Sequence, residues 1–405
     1  MKKLLLVLLA GIMAFGILAV AQEPVTITFL HAMKPTHAEI IDELIVKFQE
    51  ENPNITVVSE YGGYYSDVEQ KLNAAVVAGN PPTVAQAYEN VITPLVDVIE
   101  PYENYLTEAE FNDIIPGLRD AATVNGVMYS APFNKSIMIL YYRKDLVPTP
   151  PTTWEEYLAL AEELTVDLDG DGNIDRWGTV LRTKNPENFL NYLHQAGGTL
   201  LNEDWTAPTV NDAKGLQAME YLAALAEFAV IGGEYENAAL SADATCMWVA
   251  TSAGVAYNVT AAETIGTELG FALAPSGPVN DGTMIQGTNL FVMQQGQTQA
   301  QIEAGIAFIK FLLRADNMAY WSVESNYLPS TFSAYAHEIW KDSVVADPAK
   351  QVMADAMAVG FGPLNHPAYS DFRYHMMTRY EEVLLKASTP QQAVDDLAQD
   401  FLQYL

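Results

Sequence analysis

The chain holds one cysteine, six histidines and only 20 lysines and arginines, set against 51 aspartates and glutamates in 405 residues. Each scarcity excludes something. A single cysteine, Cys246, cannot close an internal disulfide, so the fold must rest on its core. Cys246 lies in the mostly apolar run 244–250 and reads as a buried, inert thiol. The histidines are scattered, with no pair spaced as in a zinc protease, and no Cys-rich metal site is present. No Gly-x-Ser-x-Gly elbow marks a hydrolase nucleophile. The net charge of −31 repels nucleic acid and anionic headgroups. It also makes every arginine at a prospective binding surface informative, although most of the carboxylates suit a merely solvated acidic skin.

The first residues give an address. Lys2 and Lys3 precede an unbroken apolar run from Leu4 to Ala21, which ends Ala19-Val20-Ala21 before the polar Gln22-Glu23-Pro24. Positive charge, an apolar stretch and small residues at −3 and −1 make a secretory signal peptide over 1–21, in preference to an uncleaved anchor. No cysteine follows the run, so the expectation is an extracytoplasmic (periplasmic) protein that is not a lipoprotein. Its mature chain has about 384 residues (405 less 21), enough for two domains. No later stretch is long and apolar enough to span a bilayer. Half the residues are hydrophobic, as in a globular protein.

The rhythm along the chain is strand and helix. Val25–Leu30 starts by alternating apolar and polar residues and reads as a strand. Thr36 and Glu39 form a capping box ahead of Ile40, Ile41, Leu44, Ile45 and Phe48 at helical spacing. Asn52-Pro53-Asn54 stops that helix, and Ile55–Val58 reads as the next strand, giving a βαβ unit and hence a parallel sheet. The pattern repeats with a helix at Val68–Val77 and a strand at Thr83–Tyr88. Thr153-Trp154-Glu155-Glu156 starts a helix that runs to about Leu164. Leu216–Phe228, Ala300–Arg314, Met377–Lys386 and Pro390–Leu405 are also helical. The fold class is α/β with more helix than strand.

Several of these segments resemble the family 1 extracellular solute-binding proteins of ABC importers. They are Phe29-Leu30-His31-Ala32-Met33, Phe48-Gln49-Glu50-Glu51-Asn52-Pro53, Gly79-Asn80-Pro81-Pro82-Thr83, Leu140-Tyr141-Tyr142-Arg143-Lys144-Asp145 and Tyr327-Leu328-Pro329. Each is weak alone, but their order and spacing across the mature chain are specific. Tyr61-Gly62-Gly63-Tyr64-Tyr65, Tyr88-Glu89, Phe133-Asn134-Lys135-Ser136, Gly287-Thr288-Asn289-Leu290 and Thr389-Pro390-Gln391-Gln392-Ala393 narrow the likeness to the subfamily that binds glycerol-3-phosphate and glycerophosphodiesters. The resemblance implies a two-lobe periplasmic binding protein fold of type II, with the ligand cleft between lobes that close by hinge motion. The implied lobes are 22–132 with 277–328, and 133–276 with 329–405. The hinges are expected near Pro132–Ser136, Pro275–Pro278 and Leu328–Thr331.

The resemblance also implies a site. Arg373 matches the arginine that grips phosphate, and a guanidinium fork meets phosphate bidentately. Its alternative is an ordinary exposed arginine. Tyr65, Ser136, Ser252, Gly287 and Tyr327 fall on the other phosphate-shell positions and offer neutral donors. The alternatives are packing tyrosines, a turn serine whose register against Thr251 is open by one, and a loop glycine. Glu89 matches an acceptor of ligand hydroxyls, or is a solvated strand-end carboxylate. The subfamily's tryptophans are absent from the matching segment 182–188, where Lys184 or Asn188 suits a more polar ligand. Trp154 and Trp177 read as packing residues, Trp248 and Trp321 as possible pocket stackers.

A separate loop, Asp167-Leu168-Asp169-Gly170-Asp171-Gly172-Asn173-Ile174-Asp175, copies the opening of an EF-hand, with Gly178 where its last glutamate would stand. It is either an acidic turn or a structural calcium site formed by Asp167, Asp169, Asp171, Asn173 and Asp175. No other cofactor is expected. The functional expectation is a monomeric, non-enzymatic binding component. It captures glycerol-3-phosphate, a glycerophosphodiester or a similar phosphorylated polyol and passes it to permease subunits. The alternatives are a neutral sugar or oligosaccharide binder of the same fold and, more remotely, a secreted glycoside hydrolase.

Overall fold

The computed structural model describes residues 23–33, 35–347 and 349–405. The signal segment, and the Thr36 side chain that would complete the first capping box, lie outside the described residues. The chain opens with β1 (Val25–His31), a helix (Pro35–Glu51), β2 (Ile55–Tyr61), a helix (Tyr65–Val77) and β3 (Val84–Ala87). β1 pairs in parallel with both β2 and β3, as two successive βαβ units require. A short hairpin, β4 (Thr123–Val124) and β5 (Val127–Met128), leads into β6 (Ala131–Arg143). β7 (Thr179–Arg182) and β8 (Ala229–Gly232) form a small parallel pair. β9 (Met247–Thr251), β10 (Leu269–Ala272), β11 (Thr283–Val292) and β12 (Gly360–Phe361) complete the strands. The main sheet runs β10-β6-β11-β3-β1-β2, with β9 on β6 and β12 on β11.

β6 is the spine. Ala131–Ile137 lies against β11, while Met138–Arg143 lies against β9 and β10. All of it is buried except the half-buried Tyr142, which is why its stretch Ile137–Tyr142 is a continuous apolar run in place of alternation. Three chain segments meet at one residue of this strand: Gly287 of β11 stands opposite Lys135, and the Leu328 N–H donates to the Lys135 carbonyl at 2.7 Å. The proline-rich stretch 275–278, where a crossing was expected, is not at this junction. Ser276 N–H donates to Thr152 O at 2.9 Å and Val279 N–H to Gln195 O at 3.1 Å. Residues 277–282, assigned above to the first lobe, therefore pack with residues of the second. The expected hinge segment 132–136 lies within β6, whose two parts pair with different strands.

Two aromatic cores flank the spine. On the β1 side, Phe48 meets Phe308 and Phe311 edge-on at 5.2 and 5.3 Å, under the helix Gln299–Leu313. On the other side, Trp154 stacks on Tyr221 at 4.3 Å and Phe372 meets Phe401 at 4.3 Å. Those contacts join the helices Trp154–Leu164, Ala213–Ala226, Tyr369–Leu384 and Pro390–Leu402. Thr153 caps the first of these by accepting from Glu156 N–H, as its sequence predicts. Trp248 and Trp321 are fully buried, stacked on Tyr141 at 5.3 Å and on Phe133 at 4.7 Å. They are packing residues and not surfaces for a ligand. Cys246 is buried and free, and burial pushes its thiol up to about 11.

Candidate functional site

The residues singled out in the sequence converge where the two halves face each other. Tyr65 starts the helix after β2, and Tyr88 caps the short helix Glu89–Ile92 after β3. Both therefore stand at the carboxyl ends of parallel strands, the usual place for ligands in α/β sheets. Their rings lie 4.9 Å apart. Asn134 of β6 donates from Nδ2 to the Tyr65 hydroxyl at 3.0 Å. Tyr327 follows a left-handed Asn326 that ends the helix Ala315–Ser325, and its hydroxyl lies beside that of Tyr65. Burial first, then Tyr327 and Tyr88, push the Tyr65 phenol well above its ordinary value. Tyr88 is raised as well, first by burial and then by Tyr327 and Glu187. These phenols stay neutral and serve as hydrogen-bonding groups.

Arg373 lies on the helix Tyr369–Leu384, and its Nε donates to Glu187 Oε1 at 2.5 Å. Its side chain keeps 43% of its surface exposed. Among the described residues no acceptor engages its two terminal nitrogens. Burial works against the charge, but Glu187, with Tyr369 and Tyr88, more than offsets it, so the guanidinium is held above its ordinary value. Arg373 thus sits beside Tyr88, which touches Tyr65 and neighbours Tyr327. Tyr369 is buried in the same place, its hydroxyl without a hydrogen-bond partner and its neighbours Glu187, Arg373 and Glu89. The two halves also touch directly here, where Asn90 Nδ2 donates to Ser370 Oγ at 2.6 Å.

The family resemblance implies an acceptor for ligand hydroxyls at Glu89. In the structure its Oε1 accepts from Lys135 Nζ at 2.5 Å, with the two side chains 5% and 1% exposed. Lys135 also donates to the Gly287 carbonyl at 3.3 Å. Burial pulls the Lys135 ammonium below its ordinary value and Glu89 opposes that pull. Lys135 belongs to the segment Phe133-Asn134-Lys135-Ser136, and its role as a partner of Glu89 does not show in the sequence resemblance. A lysine just ahead of the apolar run Ile137–Tyr142 was the available signal, since an ammonium buried with that strand needs a carboxylate.

The remaining shell residues are engaged by the protein itself. Ser136 Oγ accepts from the Thr251 hydroxyl at 2.8 Å, and Ser252 Oγ accepts from Ile137 N–H at 3.2 Å. Thr251 and Ser252 thus each meet a different residue of β6. Gly287 has φ of +109°, and a Cβ there would stand 2.0 Å from the Asn134 carbonyl. It is a glycine because β6 and β11 approach closely. Lys184 is exposed, and Asn188 is buried with Nδ2 donating to the Tyr380 hydroxyl at 3.3 Å.

The acidic loop lies elsewhere on the surface. One carboxylate oxygen from each of Asp167, Asp169 and Asp175 lies within 4.8 Å of the others. Asp171 stands outside that group and is bonded to Asn173 N–H at 2.8 Å. Gly178 cannot supply the missing ligand, because a Cβ would meet Ala161 O at 2.1 Å. The donor set is oxygen-only and suits a hard cation.

Comparison with known proteins supports this architecture. UgpB of Escherichia coli K12, a sn-glycerol-3-phosphate-binding periplasmic protein, is 27% identical over 409 residues, covering 93% of this chain and 91% of that one. UgpB from Mycobacterium tuberculosis in complex with glycerophosphocholine superposes with a TM-score of 0.78 at 18% identity, covering 94% and 98% of the two chains. The cyclic α-maltosyl-1,6-maltose binding protein of Arthrobacter globiformis gives 0.82 at 21%, with the same coverage. These structural likenesses establish a two-lobe type II binding protein fold, with a ligand cleft between lobes joined by hinge segments. Among the described residues no helix is long and apolar enough to cross a membrane. The sequence profile of the bacterial extracellular solute-binding proteins matches residues 43–351, and the chain belongs to that family, the substrate-binding components of ABC importers.

Proposed function

We propose that the protein captures a small phosphorylated polyol, of the glycerol-3-phosphate or glycerophosphodiester class, outside the cytoplasm and delivers it to the permease of its importer. The observation that carries this reading is Arg373. It is one of few cations in a strongly acidic chain, among the described residues its terminal N–H groups meet no protein acceptor, and Tyr88 and Tyr369 stand beside it, with Tyr65 and Tyr327 beyond Tyr88. A guanidinium among neutral hydroxyls suits a phosphate, and a closed cleft strengthens the pair by lowering the local dielectric. Micromolar capture needs only about 8 kcal/mol. The relatives named for sn-glycerol-3-phosphate support the same ligand class. The protein acts as a monomer without enzymatic activity, reaches the periplasm by its signal segment and remains unlipidated. The acidic loop is a structural calcium site.

A second reading, a neutral sugar ligand, is favoured by Glu187, which already neutralises Arg373. Thermal melting with glycerol-3-phosphate, a glycerophosphodiester and maltose separates the two. A rise with the phosphorylated ligands supports the proposal, and a rise with maltose alone overturns it in favour of the second reading.

A further inference from the structure

Three neighbouring strands of the main sheet bring three polar side chains together at Asn134. Gln86 of β3, Asn134 of β6 and Thr288 of β11 are all fully buried, and Thr288 stands opposite Asn134 across the two strands. Their hydrogen bonds form a chain whose direction is fixed at one end. The Ala32 N–H is a backbone donor and cannot accept, and it donates to Gln86 Oε1 at 2.9 Å. That sets the Gln86 amide, so its Nε2 faces Asn134 and donates to Asn134 Oδ1 at 2.9 Å. The Thr288 hydroxyl donates to the same oxygen. With Oδ1 held by two donors, Asn134 presents Nδ2 to the Tyr65 hydroxyl at 3.0 Å. An amide nitrogen donates and does not accept. The Tyr65 oxygen is therefore the acceptor of that bond, and its own proton must point elsewhere.

The place of Tyr65 says where that proton goes. Tyr65 is only half-buried, its ring lies 4.9 Å from Tyr88, and the Tyr327 hydroxyl lies beside its own. Asn90, two residues beyond Tyr88, donates at 2.6 Å to Ser370 on the helix that carries Arg373. Tyr65 therefore borders the space between the two halves. Without a ligand, the Tyr327 oxygen is the acceptor at hand. A phosphate oxygen is a stronger acceptor because it is charged, and it takes the proton in place of that neutral phenol. The reverse arrangement is closed to Tyr65, because turning Asn134 round would set its Nδ2 against the Gln86 Nε2, donor against donor. The buried amides thus decide, from within the sheet, that the cleft meets a ligand here with a proton and not with a lone pair.

We propose that Asn134 is a positioning residue, oriented by Gln86, that holds the Tyr65 hydroxyl as a proton donor to the ligand, so that this part of the cleft selects an unprotonated oxygen such as that of a phosphate. This rests on the phosphate reading of Arg373. The test is a double-mutant cycle on the mature protein, with the affinity for glycerol-3-phosphate measured by calorimetry. In the wild type, Tyr65→Phe is expected to weaken binding about tenfold, the worth of one hydrogen bond to a charged group. Asn134→Asp still accepts from Gln86 and Thr288, but puts an oxygen where Nδ2 was, and that oxygen takes the Tyr65 proton. In this background Tyr65→Phe weakens binding no further. The added charge is common to both members of that comparison and cancels. Gln86→Glu is the second background and serves alone where Asn134→Asp does not fold. It still accepts from the Ala32 N–H, and its other oxygen draws Asn134 Nδ2 round, leaving Oδ1 to take the Tyr65 proton. No cost of Tyr65→Phe in the wild type, or the same cost in every background, overturns the role of Asn134 and leaves the phosphate reading standing. A wild type that binds maltose and not glycerol-3-phosphate overturns that reading itself.

Discussion

The cleft holds two cation–carboxylate pairs of the same length and opposite character. Lys135 meets Glu89 and Arg373 meets Glu187, each at 2.5 Å. The first pair is sealed, with both side chains almost wholly buried and the ammonium also held by the Gly287 carbonyl. The second keeps its terminal donors in the open. A sealed pair cannot greet a ligand without breaking. It fixes the junction at which β6, β11 and the segment around Leu328 meet, and it neutralises a carboxylate that would repel an anion. The open pair is stable enough to persist and incomplete enough to bind. A cleft that holds an anion inside an acidic molecule needs both, one to cancel local charge and one to grip.

The largest effect should come from breaking the sealed pair. Lys135→Met leaves a buried carboxylate without compensation, which costs about 3–5 kcal/mol, whereas Lys135→Met with Glu89→Leu recovers most of it. Urea unfolding of the single and double variants checks this, and equal losses in both would show that the pair is not coupled. Next is acid. His31 is buried, accepts at Nδ1 from Met33 N–H at 3.2 Å, and burial lowers it from its ordinary value to about 4 despite Asp42. Below its unfolded value near 6.5 the unfolded chain takes up a proton that the folded chain refuses. Stability should therefore fall by about 3 kcal/mol from pH 6.5 down to pH 4 relative to His31→Asn, measured by urea unfolding across that range.

Gly287 tests the junction itself. Gly287→Ala puts a side chain on a left-handed backbone and against the Asn134 carbonyl, so a loss of at least about 2 kcal/mol is expected. Melting measured with and without ligand separates lost fold from lost cleft. The smallest effect belongs to the acidic loop, remote from both pairs. Millimolar calcium should raise the melting temperature by about 2 °C, and Asp167→Asn should remove that rise.

Much of this was legible in the sequence because it is local. The βαβ rhythm through β3, the Thr153 cap and the long helices near 216, 300 and 390 follow from spacing, with ends moved by a few residues. Tyr65, Glu89, Ser136, Ser252, Gly287, Tyr327 and Arg373 could be named from a family resemblance, and the fold brings them to one region. What each does there was not legible. That Glu89 also meets Lys135 was hidden because it depends on a tertiary contact between residues 46 apart. β6 hid from pattern reading because burial on both faces removes the alternation that marks a strand.

The central claim is that Arg373 grips an anion through donors the protein leaves free. Calorimetric titration of glycerol-3-phosphate into the wild type and Arg373→Ala tests it most directly, with Glu187→Gln as the companion. The account predicts binding lost by about a hundredfold or more in Arg373→Ala, and binding kept or tightened in Glu187→Gln, because removing that charge frees the guanidinium. Unchanged affinity in Arg373→Ala would contradict it.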